Sequence, residues 1–531
     1  MQNSLPLTVS KTEKLTINEL ESWLWDAACE IRGATDAPKF KDFILPLVFY
    51  KRLSDVFDDE FEKQIENFGS AELAHQIIEE DHKQALLKNR TGIVRFYIPR
   101  EYSWQAIRNH PANGKLGEFV TDAMREVARL NPALDGVLNV KDYNERQSGQ
   151  RTLDDERLAA LVEVISEHRL GLENAEPDIL GRAYEYLLRK FAEGQGQSAG
   201  EFYTPKEVGI LMAHLLNPKP QSTVYDPTCG SAGLLIKARL VFEQNNPDKK
   251  SLAPKLYGQE LNPVTFAMAK MNMFLHDYTD SYFGIGDTFR NPQFSAEGAK
   301  ALKKFDYVVA NPMWNQKNYT DAFYENDSWN RFKFGFPPSS SADWAWVQHI
   351  YASLNETGRA AIVLDTGAVS RGSGSRNIDR EKKIRQEFVE RDLIESVILV
   401  PDNLFYNTSA AGIVLVLNAN KSNDKKGEIL LVNASNYFIK RKPKNELTEE
   451  GIKAVSEVFR NWETREKLSR VITMKEAEEA DFNLSPSQFV EVKDKTKHRN
   501  LVDIYEDLKV AKGERETADK NLTEILAKLG I

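Results

Sequence analysis

The chain is poor in several things, and each shortage narrows what it can be. Cysteine occurs only twice, as Cys29 and Cys229. Two residues so far apart form no metal-ligand spacing and no disulfide framework, so no metal site is implied. There is no charged, apolar, small-residue leader pattern and no uninterrupted apolar run of membrane-spanning length; the run 43–50 is short and holds Pro46. A cytoplasmic location is the expectation. A basic excess is missing too: 70 Lys and Arg stand against 79 Asp and Glu, a formal net charge of −9. A protein that gripped a polyanion unaided would carry the opposite balance. Any such affinity must come from a local basic surface or a partner chain.

What is present is an ordinary globular composition, 41% hydrophobic and 28% charged over 531 residues, long enough for two or three domains. Thr16-Ile17-Asn18-Glu19 fits a capping box. Leu20, Trp23, Leu24, Ala27, Ala28 and Ile31 follow at helical spacing. Segments 43–61, 116–130 and 153–165 repeat that pattern, so 1–170 reads as an all-helical domain. A further helix over 178–191 leads to the Gly- and Gln-rich stretch 193–200, which reads as an entry loop. Glu201, Phe202, Tyr203, Thr204, Pro205 and Lys206 come next, two aromatics beside a Thr-Pro helix start that suit the wall of a pocket.

From residue 224 the pattern changes to strands alternating with helices, which predicts a mostly parallel sheet covered on both faces. The first strand ends at Asp226, and the turn behind it holds Gly230, Ser231, Ala232 and Gly233 before a helix. The glycines let a ligand approach the backbone, and the helix start offers N–H groups to a carboxylate. The glycine spacing is not the dinucleotide one, and Asp226 would repel a pyrophosphate but suit a cationic amino group. The ligand therefore reads as zwitterionic at one end. A second strand, 255–258, leads to Glu260, an acid placed to accept from a ribose diol. A third, 282–286, stops at Asp287, which suits an adenine amino group. Strands at 307–310, 360–364, 396–400, 412–417 and 428–432 complete a predicted sheet of seven or eight strands.

The fourth strand runs into Asn311-Pro312-Met313-Trp314. In open α/β sheets, ligands bind at the carboxyl ends of strands. An Asn side-chain carbonyl beside a proline carbonyl forms a pair of acceptors with no proline N–H to intrude. Such a pair suits an exocyclic amino group, whose nitrogen keeps its electron density when both hydrogens are held. Trp314 supplies a flat face for a base. The aromatic insertion 319–346 reads as packing, part of the base pocket or a subunit contact. Arg371, Arg376, Arg380, Lys382, Lys383 and Arg385 form the candidate phosphate-contacting stretch. Over 501–529 apolar residues recur at steps of three and four, consistent with a coiled coil to a partner or a docked terminal helix.

Together, Glu201 to Lys206, Asp226 to Gly233, Glu260, Asp287 and Asn311 to Trp314 resemble the modification (methyltransferase) subunit of type I restriction-modification systems. The likeness extends to the Gly-Phe-Pro-Pro stretch ending at Pro338 and to Asn403-Leu404-Phe405-Tyr406. The resemblance implies a Rossmann-like methyltransferase sheet with a helical N-terminal domain (1–170), a catalytic domain (171–475) and a helical tail (476–531). It implies S-adenosylmethionine held by the aromatic-Thr-Pro segment, the glycine turn and Glu260, and a flipped adenine held by Asn311, Pro312 and Trp314. Met313 stands where that family usually has proline. The implied partners are DNA, a sequence-specificity subunit, a restriction subunit and a second copy of the chain. The same Asn-Pro motif resembles that of enzymes methylating glutamine in proteins or guanine in RNA. A non-catalytic subunit that binds S-adenosylmethionine for assembly is the other reading left open here.

Overall fold

The computed structural model describes all residues except 1–13, 35–38, 89, 91, 135–136, 139–140, 148–149, 176–178, 180–182, 184–185, 188–203, 277, 279–280, 296–300, 376–378, 406–407, 443, 493–500 and 529–531. The predicted helix at 178–191 and entry loop at 193–200 thus fall largely or wholly outside the described residues.

The N-terminal unit is built as its apolar spacing requires. Thr16 and Glu19 close a reciprocal capping box on the helix Ile17–Glu30, whose stripe from Leu20 to Ile31 is buried. The helix Phe40–Phe68 is longer than expected and stops at Gly69, where φ is +82°. Leu116–Leu130 and Asp155–Ile165 fall where predicted. The helix Ala71–Lys88 has no counterpart in the sequence reading: its buried face is only Ala74, Ile78, His82 and Ala85, a stripe of low hydrophobic contrast. The unit is not purely helical, because β1 (Arg146–Gln147) pairs with β2 (Gln150–Arg151) in a short hairpin. Its core continues onto the helix Pro263–Leu275 through Ala267, Met268 and Met271. Phe96 meets Phe274 at 5.1 Å between ring centroids.

The remainder is a doubly wound α/β unit, and its sheet has nine strands where seven or eight were expected. They are β3 (Thr223–Asp226), β4 (Lys255–Glu260), β5 (Ser281–Ile285), β6 (Phe305–Ala310), β7 (Leu354–Asp365), β8 (Ile394–Leu399), β9 (Gly412–Asn418), β10 (Glu428–Asn433) and β13 (Ser469–Thr473). Across the sheet the order is β13-β10-β8-β9-β7-β6-β3-β4-β5. Only β9, between β7 and β8, and the edge strand β13 run against the rest. β13 is the strand the sequence hid: it is an edge strand of 5 residues in which only Val471 and Ile472 are apolar. A separate hairpin joins β11 (Phe438–Ile439) to β12 (Glu446–Leu447). Beyond residue 476 the chain still packs on the sheet, where Phe482 and Leu484 belong to the core on one face and Asn433 donates to the Val490 carbonyl.

The chain advances from β3 through β4 to β5 on one side, then returns to place β6 on the other side of β3. That reversal opens a crevice at the carboxyl ends of β3 and β6. Tyr225 lies opposite Val308, so the residues that follow each strand leave the sheet side by side. Close packing at the neighbouring strand depends on Gly258, where an added Cβ would lie 2.4 Å from Phe283 Cε1 and 2.9 Å from Cys229 Sγ. Gly258→Ala is expected to cost about 1–3 kcal/mol through overpacking, read as a lower urea midpoint; an unchanged midpoint would contradict this packing.

Candidate active site

Asn311 directly follows β6 and is only 7% exposed, so its amide must find partners inside the protein. It does: Nδ2 donates to Thr204 Oγ1 at 3.0 Å, and Oδ1 accepts from Trp314 Nε1 at 3.2 Å. An indole N–H can only donate, which identifies the atom facing it as the carbonyl oxygen and leaves the amide nitrogen to Thr204. A second lone pair of Oδ1 remains for an incoming donor. Among the described residues no hydrogen-bond donor reaches the Pro312 carbonyl. Met313 projects outward, 37% exposed. Trp314 is half-buried, its ring 4.9 Å from that of Phe405 in an edge-on contact at 68°. Gly412, at the start of β9, makes room for both rings: a Cβ there would sit 2.6 Å from Phe405 and 3.1 Å from Trp314.

The loop after Trp314 is held from behind. Asn315 adopts φ +53°, its N–H donates to Asp343 Oδ1 at 2.8 Å, and its side chain donates to Asp365 Oδ2 at 2.9 Å. Arg371 closes the cage, donating to Asn315 Oδ1, Asp365, Asp343 and Glu381. Burial pushes the Asp343 carboxyl up in spite of Arg371, whereas its carboxylate partners hold the Arg371 guanidinium more firmly protonated than usual against the cost of burial.

This accounts for much of the predicted phosphate-contacting stretch, which the structure corrects. Arg385 is fully buried and donates to the carbonyls of Phe482, Ala368 and Arg371. Arg380 pairs with Asp321 at 2.6 Å and Lys382 with Asp481 at 2.7 Å. Lys383 is exposed, and Arg376 lies outside the described residues. The aromatic insertion is also core: Tyr319, Tyr324, Phe332 and Trp346 pack with Phe289.

The β3 turn lies at the same edge of the sheet. Asp226 is 1% exposed and accepts from the Thr228 N–H at 3.0 Å. Burial, reinforced by the nearby Glu260 charge and opposed by the Thr228 bond, pushes its carboxyl up to about 8. Gly230 takes φ +54° and donates its N–H to Glu260 Oε2 at 2.9 Å, so the turn and the end of β4 are joined. Glu260 Oε1 accepts from the Asn262 N–H at 2.8 Å. Ala232, at φ +67°, precedes the helix Gly233–Asn245, whose start has no side-chain cap. The Ser231 carbonyl accepts from the fully buried Asn272 at 2.9 Å. Asp287, after β5, is spent on its own turn, accepting from the N–H groups of Phe289 and Arg290.

The predicted residues are therefore gathered at one edge, with Thr204 linking the start of the helix Lys206–Leu216 to Asn311. Pro205 and Lys206 open that helix; Glu201, Phe202 and Tyr203 lie outside the described residues. The sequence reading did not find the Arg371 cage, Asn315 or Gly412. Only Asn315, adjacent to the motif, carried a signal.

An acid held neutral by folding lowers stability once its proton must leave. Asp226 is protonated in both states below about pH 4 and keeps its proton only in the folded state up to about 8. Its contribution therefore declines as pH rises through that window and levels off above it. Asp226→Asn is expected to gain stability relative to the wild type between pH 4 and 8, measured by urea unfolding; a pH-independent difference would refute the shift.

The chain is also similar to known proteins. A family model described as N-6 DNA Methylase matches residues 175–498, and one described as HsdM N-terminal domain matches 20–165. The type I restriction enzyme MjaVIII methylase subunit of Methanocaldococcus jannaschii is 34% identical over 519 residues, covering 95% of this chain and 83% of that protein. The HindI methylase subunit of Haemophilus influenzae is 30% identical over 424 residues, covering 74% of this chain and 89% of that protein. The crystal structure of the type I restriction-modification methyltransferase subunit from Streptococcus thermophilus superposes with a TM-score of 0.70 at 27% identity, covering 89% of this chain and 99% of that one.

Proposed function

Because this chain belongs to the methylase subunits of type I restriction-modification systems and is an adenine-N6 DNA methyltransferase subunit, we propose that Asn311, Pro312 and Trp314 hold the target adenine out of the duplex. The Asn311 oxygen and the Pro312 carbonyl accept the two hydrogens of the amino group. That contact keeps the nitrogen lone pair from leaking into the ring and stabilises the positive charge that grows on nitrogen. Trp314, braced edge-on by Phe405, offers the base a flat face. The observation that carries this reading is the Asn311 amide, pinned in one orientation by Thr204 and Trp314 beside a proline carbonyl that no donor among the described residues reaches.

The family implies S-adenosylmethionine, and the residues at the β3 turn fit it. Among the described residues, the position a Cβ would take on Gly230 has only Thr265 Cγ2, at 4.0 Å, within reach, so a ligand can lie against the backbone. Asp226 suits the amino group, the uncapped start of Gly233–Asn245 the carboxylate, and Glu260, at the end of β4, the ribose hydroxyls. Glu201, Phe202, Tyr203, Thr204, Pro205 and Lys206 are assigned to the same ligand. Asp287 takes the adenine amino group only by way of its turn. When bound, S-adenosylmethionine supplies an electrophilic methyl group. The chain's part is to hold the amine in line with it, and positioning of this kind supplies most of the effect.

Partners follow from the family together with one surface. Tyr505, Leu508, Val510 and Leu522 of the helix Leu501–Lys528 are each more than half exposed, which supports contact with a sequence-specificity subunit. A restriction subunit and a second copy complete the proposed complex on DNA. No described helix is long and apolar enough to cross a membrane, and the proposed location is the cytoplasm. The proposed division is a helical unit to about residue 170, a catalytic unit to 490 and the tail.

Purified with a specificity subunit, Asn311→Ala is expected to lose methyl transfer to DNA by at least about a hundredfold while still binding S-adenosylmethionine, measured by tritiated-methyl transfer and equilibrium dialysis. Turnover retained with cofactor binding lost would contradict the assignment.

A further inference from the structure

An acidic chain whose one obvious basic stretch spends Arg371, Arg380, Lys382 and Arg385 on carboxylates and carbonyls of its own still needs a surface for the polyanion it modifies, and the β11–β12 hairpin has the right composition and place. It carries Phe438, Ile439, Lys440, Arg441, Lys442 and Lys444. Because β10 runs parallel to β8, with Asn433 opposite Leu399, the chain leaves β10 at the same sheet edge as Asn311. Phe438 and Ile439 are 38% and 49% exposed, and Lys440, Arg441 and Lys442 are exposed as well. Two carboxylates share the region. Glu446 holds Arg441 at 2.8 Å, and Asp402 lies against Asn445. Lys440 and Lys442 have no carboxylate partner among the described residues.

The hairpin is tied to the base site by bonds that leave little slack. Lys444 Nζ donates to Asn403 Oδ1 at 3.1 Å and to the Thr408 carbonyl at 2.9 Å. The Asn445 N–H donates to the Asn403 carbonyl at 2.9 Å, and its side chain to the Asp402 carbonyl at 3.0 Å. Two residues beyond Asn403 stands Phe405, which packs on Trp314. Basic side chains are thus positioned, by way of one short loop, relative to the ring proposed to face the target base.

We propose that this hairpin is a DNA backbone clamp: Lys440 and Lys442 contact phosphates flanking the target adenine, Phe438 and Ile439 lie against the sugars, and Lys444 and Asn445 couple the clamp to Phe405. The inference rests on the site reading above. Charge complementarity selects DNA, since the two unpaired lysines stand at the edge where a turned-out base brings its flanking phosphates. Phosphate contacts carry no sequence information, so the clamp acts on any duplex.

The test uses the full chain assembled with its specificity subunit and a fluorescent random-sequence duplex. Lys440→Gln/Lys442→Gln is expected to weaken binding at every sequence and to make the slope of log affinity against log salt shallower by about 0.9 for each phosphate no longer neutralised, up to about 1.8 for both. The KM for DNA rises, kcat at saturating DNA is kept, and Lys440→Arg/Lys442→Arg restores the wild-type slope. A wild-type slope in the glutamine variant, from a complex that methylates DNA, overturns the clamp and spares the site reading. Loss of the specificity subunit with an unchanged slope for the remaining complex also overturns it, in favour of a protein contact. A wild-type complex that transfers no methyl to DNA brings down both.

Discussion

The pinning of one buried amide sets the terms for everything around it. Asn311 sits where β6 leaves the sheet, too enclosed for water to satisfy its polar atoms, and its two hydrogen bonds use partners of unequal freedom. The Thr204 hydroxyl can rotate to donate or accept, whereas the Trp314 indole can only donate. The tryptophan therefore decides which end of the amide points where. Trp314 has its own support in Phe405 and in the missing side chain of Gly412. Asn315, the next residue, is fixed by Arg371 and two carboxylates, Asp343 and Asp365, with Glu381 holding Arg371 in turn. The loop from Asn311 to Asn315 is thus restrained at both ends, by strand β6 before it and by an ion cage after it.

That cage shows why charge is a poor guide when read along a chain. Six basic residues between 371 and 385 look like a surface for phosphates, but Arg371 and Arg385 do structural work. Their partners come from Asp343, Asp365, Glu381 and the carbonyl of Phe482. Arginine suits this because its planar fork satisfies several acceptors at once. Removing Arg371 would strand the buried carboxylates of Asp343 and Glu381, a cost of about 3–5 kcal/mol for a buried pair.

Most of the fold was readable where burial is two-sided. β8 and β9 are buried at every residue, and such runs announce themselves. β13 is a short edge strand with Val471 and Ile472 as its apolar residues and the helix Ala71–Lys88 buries mainly alanine and histidine, so neither stands out from a polar background. The layout of the candidate site was legible for a different reason: Asp226 and Glu260 end their strands, Asp287 and Asn311 follow theirs, and parallel strands deliver their carboxyl ends to one edge. What could not be read was support from a distance: Thr204 reaches Asn311 across 107 residues, and Arg371 reaches Asn315 across 56.

The terminal helix Leu501–Lys528 spans 28 residues and is exposed at every position from 505 to 522. A helix of about that length has little stability of its own in water, since most helical stability in proteins comes from packing. Its backbone amides should therefore exchange with deuterium far sooner than those of β8 and β9, which open only with the whole domain. Docking of another chain along this rod would appear as slowed exchange confined to the tail, a record of assembly written in isotope uptake and independent of turnover.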